Sequence, residues 1–125
     1  MRMLSRFSLL VAGLFFALGA AAQTTVQVAD AKLGKGVENR AIVDETSTFA
    51  VGDKAYLWLK VEGGAGQTVT VTWKFEDKTY PTQLSIGGSP WRVWANKTLH
   101  TAGKWGVAVT SSSGAALKEM EFTVQ

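Results

Sequence analysis

Gln67-Thr68-Val69-Thr70-Val71-Thr72-Trp73-Lys74-Phe75 decides the fold, because it alternates in character without a break. Val69, Val71, Trp73 and Phe75 hold one parity, and Thr68, Thr70, Thr72 and Lys74 hold the other. Successive side chains of a strand point to opposite faces, so one face of this segment is apolar core and the other is solvated. That is the mark of an antiparallel sheet covered on one side only.

The same period recurs on both sides of this segment. Leu57, Leu59 and Val61 alternate with Tyr56, Trp58 and Lys60, and the run stops at Glu62-Gly63-Gly64-Ala65-Gly66, which predicts a hairpin between this strand and Gln67–Phe75. Thr79–Ile86 ends at Gly87-Gly88, and Trp91–Ala95 follows Pro90, a residue suited to a strand start or an edge. Trp105, Val107 and Val109 alternate with Lys104, Gly106, Ala108 and Thr110. Ser111-Ser112-Ser113-Gly114 then turns the chain into Met120, Phe122 and Val124, a terminal hairpin. Leu117 has the opposite parity, which predicts a bulge or a strand start near Lys118.

Val26, Val28 and Leu33 predict a first strand and Thr48–Val51 a short one, while Lys32–Thr46 shows no period and reads as a long loop. About seven short strands with turns between them, spaced roughly 8 to 12 residues apart, predict an all-β, antiparallel, immunoglobulin-like sandwich. A small closed barrel is the competing architecture.

Residues 1–22 differ in kind. Arg2 and Arg6 precede an apolar run from Phe7, and Ala20, Ala21 and Ala22 stand before Gln23, as in a secretory signal peptide. The 16 residues from Phe7 to Ala22 fall short of the ~20 that span a bilayer as a helix. An uncleaved anchor is the alternative, and the absence of Cys excludes a lipid-linked Cys. Cleavage after Ala22 leaves residues 23–125 as one β-sandwich domain of 103 residues with 11 basic and 10 acidic side chains. The expected location is periplasmic or secreted, with no membrane span once the leader is removed.

Composition excludes several chemistries. With no Cys and one His (His100), the chain cannot build a Cys-rich zinc site, a disulfide scaffold or an iron–sulfur cluster. His100 lies between Leu99 and Thr101 before Gly103, in a loop, and no Gly-x-Ser-x-Gly elbow accompanies it. No Asp-x-Asp-x-Asp loop of calcium type occurs. Glu119 and Glu121 share a strand face and could flank a ligand or guard an edge, and Glu76-Asp77 reads as a turn. Basic residues are scattered among acidic ones, which argues against nucleic acid. The expectation is therefore no catalytic residue, no metal and no cofactor.

The run Trp91-Arg92-Val93-Trp94-Ala95-Asn96-Lys97, then Gly103-Lys104-Trp105-Gly106-Val107-Ala108-Val109, then Gly114, Leu117 and Phe122-Thr123-Val124 resembles the bacterial family called domain of unknown function 2914. Trp73 in its strand fits as well, and the resemblance extends over about residues 46–125. It implies a β-sandwich of the bacterial envelope, alone or fused to other modules, and no known activity. Ala95 stands where a Ser is common in that pattern and Val71 where a His often stands, so no chemistry of that His carries over here.

The tryptophans hold what functional signal remains. Trp73 and Trp105 share faces with Val69, Val71, Phe75, Val107 and Val109 and are expected in the core, while the parity of Trp91 leaves it undecided. Tyr56 and Trp58 lie opposite the Leu57-Leu59-Val61 face, Trp94 lies opposite Trp91 and Val93, and Arg92 falls beside Trp94. Together Tyr56, Trp58, Arg92 and Trp94 would form an exposed aromatic platform that anchors an envelope protein or stacks on a cell-wall polysaccharide. The bland alternative is a set of rings covering a second face, with Arg92 stacked over one of them.

Overall fold

A computed structural model of the chain describes residues 25–125, so the expected leader at residues 1–22 lies outside the described residues. Nine strands follow in order: β1 (Gln27–Glu38), β2 (Ala41–Glu45), β3 (Thr48–Phe49), β4 (Lys54–Glu62), β5 (Thr68–Phe75), β6 (Lys78–Ser85), β7 (Trp91–Thr98), β8 (Gly103–Ser111) and β9 (Ala116–Val124). They form two sheets, a four-stranded one in the order β2-β1-β4-β7 and a five-stranded one in the order β3-β9-β8-β5-β6. Separate sheets define a sandwich, and the closed-barrel alternative is not realised. The pairing is antiparallel throughout except between β3 and β9, which run parallel.

Alternation places the core as the sequence requires. From β4, Leu57, Leu59 and Val61 face Val69, Val71 and Trp73 of β5 across the sandwich, and Trp105, Val107, Val109, Phe122 and Val124 complete the buried set. Phe122 is the centre of the aromatic packing, with ring centroids 5.5 Å from Phe49, 5.9 Å from Trp73 and 6.1 Å from Trp105. Rings at these separations add attraction beyond the area they bury.

Two local expectations change. The segment Glu62–Gln67 does not close a hairpin: β4 belongs to the four-stranded sheet and β5 to the five-stranded one, so the chain crosses between layers there. Both strands have a clean apolar face, and two such faces can meet across a core as well as side by side. The hairpin partner of β5 is β6, joined by Glu76-Asp77, where Glu76 takes a φ of 55°. The segment Lys32–Thr46 is not a loop but the end of β1, a two-residue turn at Asn39-Arg40, and β2. Asn39 and Arg40 have φ of 51° and 61°, the left-handed pair that a tight hairpin demands.

The expected bulge is present. Val109 pairs with Lys118 and Thr110 with Ala116, leaving Leu117 as the extra residue.

Candidate binding face

Register builds the site directly. On the outer side of the four-stranded sheet, pairing of β1 with β4 and of β4 with β7 sets out three rows: Asp30, Lys60, Arg92; then Lys32, Trp58, Trp94; then Gly34, Tyr56, Asn96. All four residues expected from the sequence therefore share one face, with Trp58 directly opposite Trp94.

They are not equally open. Trp94 is 36% exposed and Arg92 is exposed, whereas Tyr56 is half-buried and Trp58 is only 7% exposed. The expected platform of open rings is corrected at Trp58, and the cause is the β1–β2 hairpin. Its tip folds over the sheet so that the indole Nε1–H of Trp58 donates to the Arg40 carbonyl at 2.9 Å, while Lys32 Nζ sits 5.6 Å from the ring centre. The fold-back needs close approach at Gly34, where a Cβ would stand 2.6 Å from Ile42 Cγ1 and 2.8 Å from the Val43 carbonyl oxygen. Sugar stacking requires open ring faces, and this face offers Trp94 alone.

The hairpin also adds what the sequence reading missed. Lys32, Asn39, Arg40, Ala41, Ile42, Trp58 and Arg92 line an open groove of about 520 Å³. Lys60 pairs directly with Arg92, a like-charge juxtaposition that destabilises an isolated sheet. Among the described residues Lys60, Arg92 and Arg40 have no carboxylate within ion-pair distance, and Lys32 meets only Asp30 at 3.8 Å. The alternation around Trp58 already carried Lys60. Lys32 and Arg40 had no signal, because nothing local showed that their segment folds back onto the sheet.

Other candidates lie elsewhere. Trp91 faces inward at the end of the sandwich, 40% exposed, with its ring against Gly87 and Gly88. Glu119 and Glu121 lie on the opposite, five-stranded sheet, where with Lys74, Gly106 and Ala108 they line an open groove of about 410 Å³. His100 is an exposed residue of the loop between β7 and β8. Among the described residues no group of three His, Cys, Asp or Glu could hold a metal ion, and no helix is long and apolar enough to cross a membrane.

These features define a class: an immunoglobulin-like sandwich with a buried Trp in β5 and one aromatic, basic outer face. Residues 66–124 match the family described as "Protein of unknown function (DUF2914)", so the chain resembles that family from β5 to β9. The match is shorter than the stretch expected from the sequence; it includes Arg92 and Trp94 and excludes Tyr56 and Trp58. No curated protein matches the chain.

Among solved structures, the chain is similar to part of the Pseudomonas fluorescens alkylpurine DNA glycosylase AlkC bound to DNA containing an abasic site analog. That similarity has a TM-score of 0.51 and 13% identity, and covers 80% of this chain and 30% of that one. It is also similar to part of the β-glucosidase from Listeria innocua in complex with glucose, with a TM-score of 0.51, 10% identity, 82% of this chain and 16% of that one covered. The chain thus spans a minor part of either larger protein, and at these identities the likeness concerns the fold alone.

Proposed function

We propose that this chain is a noncatalytic interaction module, exported to the bacterial cell envelope, that binds another protein through the outer face of β4 and β7. One observation carries the reading: β7 presents Trp94 in the open beside Arg92, in register with Trp58 and Lys60. Trp and Arg are the side chains most enriched among residues that dominate interface energies. The leader-like composition of residues 1–22 supports export.

The test is co-purification from envelope extract. The unaltered chain should retain a protein that Trp94→Ala and Arg92→Ala each lose, whereas Thr72→Ala, on the opposite sheet, should retain it. Truncating an anchor residue costs at least about 2 kcal/mol, close to a thirtyfold loss of affinity. Equal retention by all variants would remove this face from the account.

A further inference from the structure

The basic face ends at β7, and β7 is a sheet edge. Its only strand partner among the described residues is β4, through eight consecutive pairs from Lys54 with Thr98 to Val61 with Trp91, without a register shift. An edge strand offers unpaired N–H and C=O groups, and proteins commonly blunt such edges by shortness, irregularity or proline. The other three edges are blunted in these ways. β3 has two residues, β2 has five with a φ of 55° at Asp44, and β6 carries Pro81 near its middle. β7 has eight residues and no proline, and its pairing with β4 has no bulge.

Charge limits what can pair there. Arg92 and Lys97 stand on β7, Lys60 is paired with Arg92 behind it, and Arg40 and Lys32 lie along the adjoining groove. A second copy pairing β7 with β7 would bring no carboxylate to Arg92, because Trp91–Thr98 carries none, and would add a second Arg92 and Lys97 to the same edge, which opposes association. A polysaccharide has no run of backbone amides to complete the ladder. An extended peptide has them, and carboxylates on its outward side would meet Arg92 and relieve the Arg92–Lys60 repulsion.

We propose that β7 accepts an extended acidic segment of a partner protein as a fifth strand of the four-stranded sheet, with main-chain pairing supplying affinity and Arg92 and Lys60 selecting carboxylates. This rests on the binding face assigned above and names the chemistry of its partner. Strand addition of this kind draws affinity from backbone hydrogen bonds and specificity from alternate side chains.

The experiment uses the purified chain and five probes: a ten-residue peptide alternating Glu with Thr, its counterpart with Lys for Glu, two forms of the Glu peptide N-methylated at every second residue in one phase or the other, and polygalacturonate. Binding is followed by calorimetry and by amide hydrogen exchange along β7. The Glu peptide should bind at least tenfold tighter than the Lys peptide and weaken as salt is raised. It should slow exchange in β7, lose at least tenfold in affinity when N-methylated in one phase, and bind less well than the Lys peptide to Arg92→Glu. Equal binding of both N-methylated forms, equal protection by polygalacturonate, or no binding of any peptide would overturn strand addition.

If the peptides fail while Trp94→Ala still loses its co-purifying protein, the face stands and the pairing mode falls. If the peptides pair with β7 while Trp94→Ala and Arg92→Ala retain every partner, the face assignment falls and the edge remains.

Discussion

At the scale of single residues, three of the five tryptophans are distinguished by what their indole N–H meets. Trp105 donates to the Thr101 carbonyl at 3.0 Å and Trp58 to the Arg40 carbonyl at 2.9 Å, whereas the N–H of Trp73 is buried without a partner. A buried donor without an acceptor costs about 1–3 kcal/mol, and a typical net hydrogen bond contributes about 1 kcal/mol. Trp105→Phe should therefore lower stability in urea unfolding by about 2–4 kcal/mol more than Trp73→Phe, since the first change breaks a hydrogen bond and the second removes an unsatisfied donor. Trp105→Ala should cost about 3–5 kcal/mol by leaving a cavity against Phe75 and Phe122, and a loss below about 1 kcal/mol would contradict its placement. Parity alone was enough to read Trp73 and Trp105 as core. The same parity placed Trp58 correctly on the outer face yet not under cover, because its cover comes from residues 18 positions away in sequence.

At the scale of elements, the β1–β2 hairpin shows where local pattern ran out. A tight two-residue turn is usually announced by Asn-Gly or Asp-Gly, and this one is Asn39-Arg40. A side chain in the left-handed region costs roughly 1–2 kcal/mol, so Arg40→Gly should raise the unfolding free energy by about 1 kcal/mol while leaving the Trp58 bond to the backbone carbonyl intact. Gly34→Val should act in the opposite direction. Its side chain would collide with Ile42 and the Val43 carbonyl, lift the hairpin, and shift Trp58 emission to longer wavelength, at a cost of about 1–3 kcal/mol. An unshifted spectrum in a folded variant would show that the hairpin does not depend on Gly34. The crossing from β4 to β5 was hidden for a related reason: alternation reports which face of a strand is apolar, not which sheet the strand joins.

At the scale of the whole molecule, the all-β sandwich was legible because alternation recurs in almost every strand, and the site was half legible because register is a long-range property. Tyr56, Trp58, Arg92 and Trp94 were grouped by parity, while Lys32 and Arg40 join them only through tertiary folding. Two sheets packed through one aromatic core leave the outer faces free to differ. The five-stranded sheet turns Thr72, Lys74, Glu119 and Glu121 outward, and the four-stranded sheet turns out Lys60 beside Arg92 and one open indole. Trp94→Ala should cost only about 0.2–1 kcal/mol of stability, the scale of a cross-strand pair, so binding can be lost without unfolding. The most direct test places a photo-crosslinking amino acid at position 94, and separately at position 72, in cells producing the chain. The account predicts a discrete crosslinked protein adduct from position 94 and none from position 72; an adduct from position 72 with none from position 94 would contradict it.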